Sequence, residues 1–317
     1  MKEPEISIII PVYNEEGNLK ILCNQIKNTL SKYNKHYEII FIDDGSTDSS
    51  FKILQDLHGK NKNVAVVKFR KNFGQTAAID AGFKHARGNI LVVMDSDLQN
   101  DPEDIPRLIE ALNQGYDAVS GWRYDRKDPV AKKIVSFFSN TIRRLLTNDK
   151  IHDSGCSLKA YRKECVKDLD LYGEMHRYIP ALLSWKGFRI GEIKVHHHPR
   201  KSGKTKYGAV RIIKGLLDLL VVKFWMQYSA RPIHLFGTFG LLSFFFGTLI
   251  GIYLVIEKFF YGRSLANRPL LMLAVLTVII GIQFILFGVL ADIMIKIYYT
   301  GREKTPYSIE KKLDSKK

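Results

Sequence analysis

Cysteine is scarce in this chain. The 317 residues hold three, Cys23, Cys156 and Cys165, with no CxxC pair among them. An odd, sparse set excludes a disulfide framework and a cysteine-built zinc site. No secretory apolar segment opens the sequence either, so the expectation is a reducing compartment. Charge is missing altogether from two stretches: residues 233–256 and 269–291 contain no Asp, Glu, Lys or Arg. Each exceeds the ~20 apolar residues that a membrane helix needs, which argues against a purely soluble protein. Internal repeats and low-complexity segments are also lacking.

Positive charge, by contrast, is abundant: the formal net charge is +16 and the pI is about 9.6. Beside two spans, the expected acidic partner is anionic lipid. Nucleic acid is not expected, because the basic residues flank the spans instead of interleaving with aromatics on one soluble face. The short connector between the spans makes them a hairpin, so both long ends lie on one side. The Lys/Arg-rich flanks assign that side to the cytoplasm. The expectation is an integral membrane protein with two transmembrane helices and with its amino-terminal domain and carboxyl terminus cytoplasmic.

The first 125 residues alternate strand and helix. Strands are expected at Ile6–Ile10, Tyr37–Ile42, Val64–Phe69, Ile90–Met94 and Asp117–Ser120. Helices are expected at Leu19–Tyr33, from Asp48 to about His58 with Ser46 as N-cap, at Thr76–Ala86 and at Pro102–Gln114. This βαβ order implies an α/β fold with a mostly parallel sheet covered on both faces, with ligands beyond the carboxyl ends of the strands. Residues 130–146 and 208–228 read as amphipathic helices with basic polar faces. Phe and Trp lie on their apolar sides, which suits the plane of a bilayer interface.

Asp95-Ser96-Asp97 closes an apolar strand, so both carboxylates emerge at the ligand edge. Two hard oxygen donors close together suit Mg²⁺ or Mn²⁺ on a substrate diphosphate, and Gln99 offers a third oxygen. Asp43-Asp44 holds the equivalent place after the second strand, and Pro11-Val12-Tyr13-Asn14-Glu15 after the first. Either can be turn chemistry or a nucleoside contact. Two motifs mislead. Gly203-Lys204-Thr205 imitates the end of a P-loop, but the glycine required five residues earlier is His198. His196-His197-His198 reads as structural or phosphate-facing, because on a strand only His196 and His198 share a side.

Taken together, Pro11–Glu15, Asp43–Ser46, Asn72-Phe73-Gly74 and Asp95–Gln99 resemble, in order and spacing, the family-2 glycosyltransferases of GT-A fold. Asp101-Pro102-Glu103, Asp153-Ser154-Gly155 and Arg200-x-x-Gly203-x-Thr205-Lys206 narrow the resemblance to the polyprenyl-phosphate hexose synthases of the dolichol-phosphate mannose and bactoprenol glucose type. The QxxRW motif of the processive synthases is absent, since Gln227 is followed by Tyr-Ser-Ala-Arg.

The resemblance implies a metal-dependent, inverting transfer of a hexose from a nucleoside-diphosphate sugar to a polyprenyl (dolichyl or undecaprenyl) phosphate at the cytoplasmic membrane face. It implies donor contacts from Pro11, Tyr13, Glu15, Asp43, Asp44, Asn72, Arg200 and Lys206, with Lys206 in a loop that closes over the site. Asp95, Asp97 and Gln99 would hold Mg²⁺ or Mn²⁺, with Asp95, Asp97 and Asp153 catalytic. Arg123, Lys132, Ser136, His176 and Arg177 would face the acceptor phosphate. The expected domains are a nucleotide-sugar-binding core at 1–129 and the rest of the catalytic domain, with one interface helix and the basic loop, at 130–206. A second interface helix at 207–232 precedes the transmembrane hairpin at 233–295 (spans 233–256 and 269–295), and 296–317 is a basic tail. The hairpin also offers a surface for homo-oligomers. Two other readings stay open: a transferase of the same fold acting on another membrane-associated acceptor, and a membrane-anchored binding protein without catalysis.

Overall fold

Ile6–Val12 (β1) and Tyr37–Asp43 (β2) are nearly continuous apolar runs, the pattern of strands with neighbours on both edges and cover on both faces. β1 is buried along its whole length. In the computed structural model the described residues are 3–33, 35–124, 151–199, 210–228, 231–266 and 268–301. The expected helix at 130–146 with Lys132 and Ser136, the basic loop with Arg200 and Lys206, and nearly all of the expected tail lie outside them.

Five further strands complete one sheet: Val64–Lys68 (β3), Ile90–Val93 (β4), Ala118–Trp122 (β5), Lys159–Arg162 (β6) and Ile190–Lys194 (β7). The order is β3-β2-β1-β4-β6-β5-β7. Pairing is parallel except around β6, which runs antiparallel to both β4 and β5. In register, Val12 lies beside Asp43, and Val93 beside Lys159. The carboxyl ends of β1, β2 and β4 therefore share one edge, and the reversed β6 brings its first residue to that same edge.

Helices cover both faces. Leu19–Tyr33 (α1) buries Leu19, Leu22, Cys23, Ile26 and Leu30, a helical stripe packed with Ile6, Ile8 and Ile10. Ser50–Lys60 (α2) follows β2 and Gln75–His85 (α3) follows β3. α3 comes so close to the sheet that a Cβ on its Gly82 would lie 2.2 Å from Ile9 Cγ2. A 3-10 turn at Pro102–Asp104 leads into Ile105–Asn113 (α4), and Lys163–Val166 (α5) and Ile179–Trp185 (α6) follow β6. α2 starts later than the sequence suggests, and Ser46 is not its N-cap. The Ser46 N–H donates to Asp43 Oδ1, and its hydroxyl accepts from the Asn14 N–H.

The chain divides into two compact units, Met1–Val222 and Lys223–Lys317. The division falls inside Val210–Tyr228 (α7), the helix expected from 208. In the second unit Ile233–Tyr261 (α8) and Pro269–Gly301 (α9) are long apolar helices, each long and apolar enough to span a membrane. Both outrun the charge-free stretches. Glu257 stays helical because its carboxylate accepts from Tyr253, Arg263 and Arg268. Glycines at seven-residue spacing let the two helices touch: a Cβ on Gly240 would lie 2.8 Å from the Gly281 carbonyl, and one on Gly247 2.8 Å from that of Ala274.

Candidate active site

The loops after β1 and β2 are tied together at the ligand edge. Asn14 takes a left-handed backbone (φ 56°), which its short polar side chain tolerates, and its Oδ1 accepts from the Thr47 N–H at 2.8 Å. The Glu15 N–H donates to Ser50 Oγ, and the Glu15 carboxylate accepts from Asn18 at 2.6 Å. Tyr13 is half-buried beside them. The Pro11 carbonyl accepts from the Ser96 hydroxyl at 3.0 Å, so the first loop also fixes the loop after β4.

Asp43 and Asp44 have different jobs. Asp43 is fully buried; its Oδ1 accepts from the Ser46 N–H, while its Oδ2 has no hydrogen-bond partner among the described residues. A buried carboxylate oxygen without a donor is costly, and a nucleoside N–H would satisfy it. Asp44 accepts from the Phe73 N–H at 2.6 Å and the Gly74 N–H at 2.9 Å, which pins the loop before α3. Burial, with Asp43 adding to it, raises the Asp44 carboxyl above its ordinary range in spite of those two donors. Gly45 (φ 69°) is needed here, since a Cβ would lie 2.4 Å from the Lys71 carbonyl carbon. Asn72, in the same loop, is exposed.

Asp95 and Asp97 leave β4 together. Asp97 is buried, and its Oδ1 accepts from the Gln99 N–H at 3.2 Å across Leu98, whose backbone is left-handed (φ 61°). Asp95 Oδ1 accepts from the Gln75 side-chain amide at 2.7 Å. Burial first, and then the charge of Asp97, raise the Asp95 carboxyl, while Ser157, Arg123 and Lys159 pull it back. Among the described residues no group of three or more His, Cys, Asp or Glu side chains is arranged to enclose a metal. The Gln99 side-chain amide donates to the His198 carbonyl at 3.5 Å, while the two crowded carboxylates fit an open site instead. A hard divalent cation that keeps waters and shares its shell with substrate phosphates needs no more than that.

On the other side of β4, Arg123 at the end of β5 grips Asp153 with two bonds, Nε to Oδ2 at 2.7 Å and Nη2 to Oδ1 at 2.9 Å. Both side chains are largely buried. Glu192 on β7 holds the Asp153 backbone by accepting from the N–H groups of His152 and Asp153. His152 also stacks on Trp122 at 4.5 Å. The His176 ring meets the Thr76 hydroxyl at 2.7 Å, and Arg177 pairs loosely with Glu174 at 3.6 Å.

Four contributors were not read from the sequence. Lys159, the first residue of β6, is buried, and its ammonium donates to the Ser154 carbonyl at 3.1 Å. Burial pushes its pKa down to about 8, against the pull of Cys156, Asp153 and Asp95. Gln75, Thr76 and Glu192 are the others. Gln75, Thr76 and Glu192 reach partners far along the chain, and Lys159 meets the charge of Asp95 through the pairing of β6 with β4, so no local spacing announces them. In the histidine run, His196 pairs with Asp104 and His198 with Asp101, two different carboxylates.

Residues 7–170 match the model of Glycosyl transferase family 2. The dodecaprenyl-phosphate galacturonate synthase of Rhizobium johnstonii is 39% identical, the likeness covering 98% of this chain and 93% of the relative. The undecaprenyl-phosphate 4-deoxy-4-formamido-L-arabinose transferase of Klebsiella pneumoniae is 34% identical, over 97% and 93%. Among solved structures, glucosyl-3-phosphoglycerate synthase from Mycobacterium tuberculosis, in complex with Mn²⁺ and UDP-glucose, superposes with a TM-score of 0.54 over 69% of this chain and 79% of that one. At 18% identity it shares the fold alone. The chain belongs to glycosyl transferase family 2.

Proposed function

We infer that this glycosyltransferase moves a sugar from a nucleoside diphosphate to a polyprenyl phosphate at the cytoplasmic face of a membrane, with inversion at the anomeric carbon. The observation that carries the reading is the shared edge of Asp43, Asp95 and Asp97 with the Arg123–Asp153 pair, in a chain whose likeness to two polyprenyl-phosphate transferases runs through the apolar hairpin. Asp43, with Tyr13, Pro11 and Glu15, holds the nucleoside, and Asp44 and Asn72 shape the loop beside it. Asp95, Asp97 and Gln99 hold a divalent cation. When bound, Mg²⁺ or Mn²⁺ supplies positive charge to the leaving diphosphate. Arg123, held by Asp153, and His176 with Arg177 face the acceptor phosphate, helped by Lys132 and Ser136. Arg200 and Lys206 meet the donor diphosphate.

An acceptor phosphate oxygen forms the new bond to the anomeric carbon as the bond to the donor diphosphate breaks. That oxygen is already anionic at neutral pH, so little general-base help is required. Most of the rate then comes from orientation and charge placement. The sugars named in the two relatives, a galacturonate and a formamido-arabinose, differ in size and charge, so this edge accommodates more than one sugar class across the family. The test is a panel of radiolabelled nucleotide sugars with polyprenyl phosphate and Mg²⁺ or Mn²⁺, scored by label in the organic phase. One donor should give a lipid-linked product. Transfer only to another membrane acceptor would favour the alternative enzyme, and neither transfer nor metal-dependent donor hydrolysis would overturn catalysis.

A further inference from the structure

Four consecutive residues before and at the start of α3 touch three separate parts of the site. The Phe73 and Gly74 N–H groups donate to Asp44, at the end of β2. The Gln75 side-chain amide donates to Asp95 Oδ1 at 2.7 Å, beyond β4. The Thr76 hydroxyl meets His176 Nδ1 at 2.7 Å, a hundred residues along the chain. Gly74 takes φ 96°, a conformation that L side chains rarely adopt, and this turn lets neighbouring residues reach in different directions. Thr76 is buried, so its hydroxyl has little water to bond instead.

We propose that this segment is a brace, in which Gln75 is the positioning residue for Asp95 and Thr76 the positioning residue for His176. The chemistry of Gln75 suits the task. Asp95 stands beside a second carboxylate, and repulsion favours turning the two apart. A neutral amide adds a hydrogen bond at Asp95 Oδ1, beside the one that Ser157 makes to the same carboxylate, and brings no charge of its own, so the remaining lone pairs keep their full attraction for a cation. A lysine there would make a stronger bond, but its charge would compete with the cation for the same carboxylate. Asp44 sets where Gln75 starts by clamping the two preceding N–H groups. The brace thus links Asp44 in the loop beside the donor, the cation carboxylate that follows β4 and the acceptor-facing histidine. It rests on the function proposed above.

The experiment measures binding of Mn²⁺, with UDP and with GDP, by electron paramagnetic resonance on the full-length protein in detergent. Replacing a partner of a metal-liganding carboxylate typically weakens binding about tenfold or more. Gln75→Met should therefore weaken Mn²⁺ binding about tenfold and change the spectrum of the bound ion, with melting temperature close to wild type. Gln75→Lys should weaken it further. Thr76→Val should leave Mn²⁺ binding unchanged but raise KM for polyprenyl phosphate several-fold, and Thr76→Ser, which keeps the hydroxyl, should restore it. Wild-type Mn²⁺ affinity and spectrum in Gln75→Met would overturn the role of Gln75. An unchanged acceptor KM in Thr76→Val, or no rescue by serine, would overturn that of Thr76. The Mn²⁺ readout needs no acceptor, so it can succeed even if the proposed lipid acceptor is wrong. Absence of Mn²⁺ binding in the wild type with either nucleotide would overturn the cation site and the brace with it.

Discussion

Asp97 is the residue at which function and stability pull in opposite directions. It is buried, and its charge raises the Asp95 carboxyl that lies two residues before it. Without a cation the pair is repulsive, and a divalent ion with a diphosphate would turn that repulsion into attraction. Asp97→Asn keeps the shape and can still accept from the Gln99 N–H, but it removes one charge from the cation's side. Sugar transfer should fall on the order of 10²-fold or more, since several kcal/mol of transition-state stabilisation are lost. The melting temperature without metal should stay the same or rise, because the crowding is relieved. Assay of lipid-linked product and a thermal melt on the same preparation check both halves. Near-normal turnover would remove Asp97 from the cation site.

At the scale of elements, the opposite end of the sheet carries a purely structural ion cluster. Glu38 of β2 is buried and accepts from the Ser7 hydroxyl at 2.7 Å, from the Arg87 N–H at 2.8 Å and from its guanidinium at 2.7 and 2.9 Å. Burial alone would raise the Glu38 carboxyl; the hydrogen bonds from Arg87 and Ser7 outweigh it and hold the group below its usual range. A depressed acid stabilises the fold above its unfolded pKa, roughly 4.3 for Glu, and that contribution is lost as pH falls through the folded value. Glu38→Gln should cost about 1–3 kcal/mol at neutral pH, the penalty of disturbing a buried charged hydrogen-bond set. The gap to wild type should narrow below about pH 4. Denaturant unfolding in detergent at several pH values tests it. On the α3 side, Gly82→Ala forces a Cβ against Ile9 and should cost about 1–3 kcal/mol by overpacking, read in the same unfolding assay.

These elements also show where the sequence was readable. α1 is found at the expected residues because Leu19, Leu22, Ile26 and Leu30 carry the helical period unaided. β6 and β7 were missed. β6 has four residues, and β7, Ile190-Gly191-Glu192-Ile193-Lys194, has a glycine and two charges where an apolar run would be sought. Their pairing partners, not their own composition, make them strands. The same distinction divides the site. Asp95 and Asp97 were legible because a carboxylate pair closing a buried strand is a local pattern. Gln75, Lys159 and Glu192 were not, because the fold and no local spacing brings Gln75 and Lys159 to Asp95 and Glu192 to the Asp153 backbone.

At the scale of the whole molecule, chemistry and anchorage belong to different units. Every candidate site residue that the structure describes, from Pro11 to Arg177, belongs to Met1–Val222, and the two long apolar helices belong to Lys223–Lys317. The first unit has its own core, with β1 and β2 buried nearly throughout, so nucleotide binding should not depend on the second. Acceptor access should. A polyprenyl phosphate is confined to the bilayer, and a tethered enzyme meets it at a high effective concentration that a free one lacks. A chain ended after Arg231 should therefore bind nucleoside diphosphate with Mn²⁺ within about threefold of the full chain, and still transfer weakly to a short polyprenyl phosphate dispersed in detergent. With long-chain acceptor in vesicles its rate should fall on the order of 10²-fold, the lower range of what lost tethering costs. Calorimetric titration of the nucleotide and organic-phase product assays, run on both proteins, separate the two effects. Equal rates on vesicles would mean that the first unit finds the membrane by itself, leaving the hairpin a role in assembly. Loss of nucleotide binding would mean that the units do not fold apart, and the division of labour would fail.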